Sequence, residues 1–456
     1  MDLDSVRKHL RKLKSYAERN GIEKTVFRAV EGISETLADR EYAEEMRCNR
    51  ETSELLRENE IIGGSIKISI LVPACDPDPD DFAHLLDSVA RQTYGNYELI
   101  IVDAGKGQDT EAVVNTYMAD PDAGLPIVYK RLPENLGISG NTNEALALAK
   151  GNYIALLDHD DFLEPTALSR IAEEAVHGAY VIYTDEDKYD ARTDRFFRPN
   201  RKPDFNLDLL YSNNYICHFL AVKRELAVKT GFRSEYDGAQ DYDFILRLTD
   251  GMDEEKIAHI PEVLYHWRVS INSTADNPES KLYAYENGRK ALQDFFISKG
   301  YKDVVVRDTD HRGFYHADYS NTVIDKEKYV LLVDDRLCPL SADFERALSG
   351  YFVRPDVGIV GARIIGRTGR TICNGYERVT GGRRVSLYGK MDFRFSGDMH
   401  RASMTRDTEA VSRHACVIRS ELADCITGDS MEMCDEIRKR GYRVVIDPTI
   451  NFKLTQ

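Results

Sequence analysis

Tyr153-Ile-Ala-Leu-Leu157-Asp158-His159-Asp160-Asp161 is the stretch on which the fold turns. An apolar run ends abruptly in three carboxylates within four positions. The run suits one buried strand and is far below the roughly 20 residues of a membrane span. Upstream the form recurs: Ile68-Ser-Ile-Leu-Val72 stops at Pro73 before the acidic loop Asp76–Asp81, and Glu98-Leu-Ile-Ile-Val102 stops at Asp103. Helical spacing fills the intervals, from Phe82 to Gln92, after Val102, and from Ser139 to Ala149, with a short apolar run at Ile127-Val-Tyr129. Strands alternating with helices predict an α/β domain, a Rossmann-like and mostly parallel sheet with helices on both faces. Ligands of such sheets sit beyond the carboxyl ends of the strands, where Asp103 and Asp158 fall.

Crowded carboxylates repel unless a cation or hydrogen bonds offset them. A hard divalent cation accepts such oxygens and keeps positions open for phosphate. The other reading of 158–161 is an acidic turn in which Asp160 or Asp161 caps the next helix.

A series of further motifs follows in order. Gln92-Thr-Tyr94, Asn135-Leu-Gly137-Ile-Ser139, Asn143-Glu-Ala-Leu146, Thr184-Asp-Glu-Asp-Lys188, Lys202-Pro-Asp-Phe-Asn206, Gln240-Asp-Tyr-Asp243 and Tyr265-His-Trp-Arg268 accompany the strand ends. Together they resemble a family 2 glycosyltransferase of GT-A fold, over about residues 66–275, of the bacterial type that builds cell-surface polysaccharide. The resemblance implies roles. Pro73, Cys75, Asp103, Asn135, Gly137, Ser139, Asn143, Asp158 and His159 fall where the family holds the nucleotide. Asp158 and Asp160 match its metal-binding D-x-D, for Mn²⁺ or Mg²⁺, with His266 as a further metal or phosphate contact. Asp241 matches the catalytic base of inverting members. Asp185, Glu186, Asp187, His218, Gln240, Trp267 and Arg268 fall toward the sugar or acceptor. Taken alone, Asp241 also reads as a helix N-cap, His266 equally as a core histidine, and 185–187 as a solvated acidic turn.

Two departures bear on the donor. The resemblance implies a UDP- or dTDP-sugar, but the usual second acid after the second strand is Ala104 here, and a methyl group cannot accept a base N–H. Val72-Pro-Ala-Cys-Asp76 also lacks the usual aromatic.

The flanks read differently. Residues 1–65 form a helical N-terminal arm, with apolar stripes Val6, Leu10, Leu13, Ala17 and then Val26, Val30, Ile33, Leu37. Arg7, Lys8, Arg11, Lys12 and Lys14 make the first helix basic, which suits an anionic membrane surface, although packing on its own protein is the favoured reading. Ile61-Ile-Gly-Gly64 reads as a hinge. Residues 66–300 form the GT-A domain. Residues 301–456 resemble a truncated, degenerate second copy: Tyr329-Val-Leu-Leu-Val-Asp334-Asp-Arg336 echoes Tyr153–Asp161, no room remains for nucleotide-binding strands, and Arg336 stands where a metal-binding acid belongs.

Sixty-one basic against 77 acidic residues leave a net charge of −16, which disfavours a nucleic-acid partner. Eight cysteines without a C-x-x-C pair point to reduced thiols, not a zinc knuckle or disulfide scaffold. No apolar leader follows Met1, so a cytoplasmic protein is expected, with the arm leaving room for contact at the inner membrane face. The expected function is metal-dependent, inverting sugar transfer from a nucleotide-diphosphate donor to a glycan or lipid-linked acceptor. The alternative is an inactive transferase-like scaffold subunit. For the second copy, packing, self-association or acceptor binding is expected in place of a second active site.

Overall fold

The computed structural model describes residues 14–55, 64–120, 124–269, 282–379 and 383–455. The basic positions 7–12 and the expected hinge at 61–63 lie outside the described residues. Two compact units result. One comprises 35–205 and 215–291; the other comprises 206–214 and 292–456 with the chain up to Ser34. The expected boundaries at 65 and 300 shift accordingly, and helix α1 (Ile22–Leu55) is no separate arm.

Its anchors explain the shift. In one unit the Tyr42 hydroxyl donates to Asp187 Oδ2 at 2.8 Å and Asp39 accepts from Arg198 N at 2.7 Å. In the other, Glu31 accepts from Ser396 N at 2.5 Å and Phe27 meets Phe395 edge-on at 5.3 Å. The stripe expected to pack, Val26, Val30, Ile33 and Leu37, is instead exposed. Aromatic and carboxylate anchors on the adjoining face have taken its place.

The first unit is built on β1 (Ile68–Ala74), β2 (Tyr97–Asp103), β3 (Ile127–Arg131), β4 (Tyr153–Leu156), β5 (Phe162–Leu163), β6 (Val181–Asp190), β7 (Arg195–Asn200), β8 (Leu220–Lys223) and β9 (Ile257–Arg268). The sheet order is β3-β2-β1-β4-β8-β6-β9-β5, with β7 on β6. The first four strands are parallel. Beyond them β8 runs antiparallel to both β4 and β6, β9 returns parallel to β6, and β5 is antiparallel to β9. Every residue of β1 is buried, as expected of a strand covered on both faces. Pro73 is tolerated in this central strand because the ladder to β4 ends at Leu71.

Helices α2 (Pro79–Ala90), α3 (Asp109–Ala119), α4 (Gly137–Leu148), α5 (Ala167–His177) and α6 (Gln240–Thr249) complete this unit. Helix α2 starts three residues before the expected Phe82. Asp78 caps it, accepting from the amides of Asp80 and Asp81, and Pro79 presets its first turn.

Helix α7 (Leu282–Ser298) leads into the second unit, which holds the hairpin β10 (Val305–Asp308) and β11 (Tyr315–Asp318). Then come β12 (Tyr329–Val333), β13 (Leu337–Pro339), β14 (Val357–Ile365), β15 (Thr371–Cys373), β16 (Tyr376–Val379), β17 (Arg383–Ser386), β18 (Arg406–Asp407), β19 (Ala415–Arg419), helix α8 (Ser430–Lys439) and β20 (Arg443–Leu454). The main sheet runs β12-β19-β14-β20-β13, with β15 on β14. Its pairings are antiparallel, antiparallel, parallel and antiparallel. This repeats β4-β8-β6-β9-β5 strand for strand and direction for direction. Among the described residues, β1–β3 have no counterpart in it.

Candidate active site

The carboxylate turn hangs from the end of β4. Asp161 is fully buried; the Tyr265 hydroxyl donates to its Oδ2 and the Arg268 amide to its Oδ1 at 2.8 Å. Burial first, then the charges of Asp160 and Asp158, push its carboxyl well above the ordinary range. Asp161 is thus an internal strut of the turn. Asp158 is exposed and Asp160 half-buried. His159 Nδ1 lies 3.2 Å from the Pro73 carbonyl oxygen, tying the turn to the end of β1.

This donor set fits a hard divalent cation: carboxylate oxygens within reach of solvent, with no thiolate among them. Among the described residues no three His, Cys, Asp or Glu groups converge as a ready-made cage. Two protein carboxylates leave most of a coordination shell for water or ligand oxygens.

Asp241 lies in the first turn of α6. It is no N-cap: that position is Ala239, and the Gln240 side chain accepts from Gly238 N at 2.8 Å. Cys217 Sγ donates to Asp241 Oδ2 at 3.5 Å. Burial raises the Asp241 carboxyl, His218 and the Cys217 thiol lower it, and Asp158 raises it again. The charge of Asp158 thus reaches Asp241. His218 stacks flat on Tyr265 at 4.8 Å between centroids and meets Trp267 edge-on at 5.9 Å, while Lys188 Nζ sits 4.8 Å over the Trp267 ring.

Lys202 had no assigned role in sequence. Its side chain is fully buried, and Nζ donates to the carbonyls of Ile216, at 2.7 Å, and His218. It pins the segment that carries Cys217, whose φ of +33° is uncommon for a side-chain-bearing residue, beside Asp241. A buried lysine in Lys202-Pro-Asp-Phe-Asn206 was the available signal.

At the β1 and β2 ends, Asp103 is fully buried and accepts from Gly105 N and from the Tyr129 hydroxyl, both at 2.8 Å. Cys75 Sγ accepts from Asn135 Nδ2 at 3.3 Å, and Asn135 Oδ1 accepts from Gly137 N at 2.9 Å. Asp76 is a further acid at this edge. Its carboxylate accepts from Gly107 N at 2.9 Å and Lys106 N at 3.1 Å, close beside Ala104.

Several expected contacts are corrected. Ser139 N donates to Asp237 Oδ1 at 3.3 Å, and a Cβ on Gly137 (φ +78°) would strike the same carboxylate. The start of α4 therefore faces the Asp237 carboxylate. Asn143 exchanges both of its amide bonds with the Phe232 backbone, at 2.8 and 3.0 Å, and is a structural clamp. His266 meets neither Asp158 nor Asp160 with its ring nitrogens: it is fully buried, with Nδ1 2.6 Å from Asp187 Oδ1 and Nε2 2.9 Å from Glu164 Oε1. Asp187 is accordingly withdrawn from any acceptor. So is Arg268, which is buried against Asp81 at 3.1 Å and donates to Asp160 O at 2.8 Å. Asp185 accepts from Lys202 N at 2.8 Å and pairs with His259 at 2.9 Å, while Glu186 accepts from Asn200 at 3.0 Å. Both belong to the framework. Of the remaining expected residues, His218 acts on Asp241 through its charge and meets Trp267.

Residues 69–234 match the model of the family described as Glycosyl transferase family 2. The chain is 39% identical over 246 residues to the uncharacterised protein y4gI of Sinorhizobium fredii, covering 52% of this chain and 26% of that protein. It is 32% identical over 236 residues to the O-antigen biosynthesis protein RfbC of Myxococcus xanthus, covering 51% and 18%. The chain thus spans about a quarter or less of these relatives. Residues 1–349 of S. aureus TarS, crystallised in complex with UDP-GlcNAc, align at 18% identity with a TM-score of 0.40, over 51% of this chain and 67% of that one. Within the first unit, residues 69–234 thus match glycosyltransferase family 2.

Proposed function

We propose that the first unit transfers a sugar from a nucleotide-diphosphate donor to a glycan or lipid-linked acceptor, with inversion, in cell-surface polysaccharide synthesis. The observation that carries this is the carboxylate turn at the end of β4, where the solvent-facing Asp158 acts through its charge on the half-buried Asp241. Sugar transfer needs two such groups. Mn²⁺ or Mg²⁺ bound by Asp158 and Asp160 would neutralise the charge that grows on the departing diphosphate. Asp241 accepts the proton of the acceptor hydroxyl as that oxygen attacks the anomeric carbon. Burial strengthens it as a base, and the protonated Cys217 thiol, which its surroundings hold well above its usual range, orients its Oδ2. His218 and Trp267 offer a ring wall beside the reacting sugar. Single displacement places the new bond on the opposite face and inverts the centre.

The base is held near Asp103, Cys75 and Asn135. Asp76 supplies at this edge the carboxylate that Ala104 lacks, which keeps a UDP- or dTDP-sugar in play. Among the described residues no helix is long and apolar enough to cross a membrane; contact at the inner membrane face would fall to the exposed stripe of α1. The deciding experiment is transfer from a panel of UDP-, dTDP- and GDP-sugars with Mn²⁺. Turnover lost in Asp241→Asn with donor binding kept supports the assignment. Full turnover in that variant, or nucleotide binding indifferent to divalent metal, refutes it.

A further inference from the structure

The second unit repeats half of the first, and the repeat can be followed residue by residue. Tyr153 pairs with Lys223 across β4 and β8, and Tyr329 with Arg419 across β12 and β19. Setting Tyr329 on Tyr153 and Arg419 on Lys223 brings Asp334 onto Asp158 and Arg336 onto Asp160. It also brings His414 onto His218. The glycines that bracket α6, Gly238 and Gly251, and those that bracket α8, Gly428 and Gly441, keep the same separation and all have positive φ. In that frame Met431 falls on Asp241. The two groups that would do chemistry are therefore replaced. Arg336 donates to both carboxylate oxygens of Asp334 at 2.8 Å, a tethered cation in place of a bound one. A buried thioether stands in place of the base.

The space has nevertheless stayed open. A cavity of about 600 Å³ is lined by Asp334, Tyr376, Arg384, Arg413, His414 and Ser430, at the position corresponding to the sugar site of the first unit. This volume lies within the range of small-ligand sites. Two of its cations face carboxylates, and Arg413 donates to the Gly428 carbonyl. Arg384 Nη1 is 2.6 Å from Asp429 Oδ2, and Asp334 is shared between Arg336 and His414, the latter at 3.4 Å. The amides at the start of α8 are taken by Asp429 in a capping box, so the helix end is not available to an anion. What remains is a wall of donors, Arg384 and Arg413, and carboxylate acceptors, Asp334 and Asp429, around a half-buried tyrosine ring. Vicinal hydroxyls, each a donor and an acceptor, match such a wall, whereas a free anion meets its carboxylates as well as its cations.

We propose that this cavity is a second saccharide-binding site that holds a glycan without reacting with it. That the glycan is the acceptor of the first unit rests on the transferase reading above; binding itself does not. The test is calorimetric titration of the full chain, without donor, against tetrasaccharides of glucose, N-acetylglucosamine and rhamnose, with inorganic pyrophosphate as the anionic probe. At least one tetrasaccharide is expected to bind. Arg384→Ala and His414→Ala should each weaken it at least about tenfold, or about 1.4 kcal/mol. Their side chains are 43% and 53% exposed, so both variants should melt like the parent. Asp158→Asn should bind unchanged. Failure of every tetrasaccharide to bind overturns the proposal. So does loss in Asp158→Asn with retention in the other two, or binding of pyrophosphate alone. Donor turnover by Asp241→Asn, measured separately, bears on the transferase reading and leaves this one standing.

Discussion

His266 and Asp187 form a fully buried ion pair across β9 and β6, Nδ1 to Oδ1 at 2.6 Å, on partnered positions of the ladder. Burial alone would lower the histidine, but the charges and hydrogen bonds of Asp187 and Glu164 overcome it and lift the ring to about 9. A histidine raised in the folded state stabilises fully below its unfolded value near 6.5 and loses that contribution as pH rises through about 9. The ceiling is on the order of 3 kcal/mol, reduced because burial also lifts Asp187. Urea midpoints should therefore fall between pH 6.5 and 9.5, and His266→Gln should flatten that fall.

The Tyr42 hydroxyl is the second donor to Asp187. Tyr42→Phe should cost about 1.5–3 kcal/mol, as expected for a lost hydrogen bond to a charged group, read from thermal or urea unfolding. Tyr94→Phe, which loses only a bond to the Ile66 carbonyl, should cost less.

Asp241→Asn should lower the transfer rate by about 10²–10⁴-fold, the usual worth of a positioned base. KM for donor should change little. Because Cys217 donates to the charged form of Asp241, Cys217→Ala should move the acid limb of the pH–rate profile upward while retaining the plateau. A downward shift would show that the thiol does not serve the carboxylate.

Asp158→Asn should weaken nucleotide binding in Mn²⁺ by at least about tenfold, and have little effect in its absence. Titration of UDP with and without the cation reads this directly.

Arg354 is buried with Asp208, its guanidinium 2.6 and 3.0 Å from the two carboxylate oxygens. Arg354→Ala strands that carboxylate and should cost about 3–5 kcal/mol, measured as loss of stability of the second unit.

Strands β1, β2 and β4 were legible in sequence because each is a largely buried apolar run, and the half-buried edge strand β3 because Ile127-Val-Tyr129 stands out between helices. The site was legible where an acid ends such a run, at Asp103 and Asp158. His266, Arg268 and Asp187 misled for a physical reason. Along β9 and β6 they have the composition of a site, but their partners lie across the ladder, and the β6/β9 register slips at 184–186, so spacing alone does not show who faces whom. Asn143 misled likewise, its partner being the distant Phe232. The α1 stripe misled because amphipathic spacing shows that a helix has an apolar face without showing that the face is used. Cys217 gave no signal of its own until the fold set it beside Asp241, and Lys202 none beyond its place in Lys202-Pro-Asp-Phe-Asn206.

Arg336 has one more consequence. A carboxylate served by its own chain cannot be emptied by a chelator or filled by a competing ion. Stripping divalent ions from this protein should therefore silence one half while the other keeps its shape and whatever it holds, so the two repeats answer to different solution conditions although they share one topology.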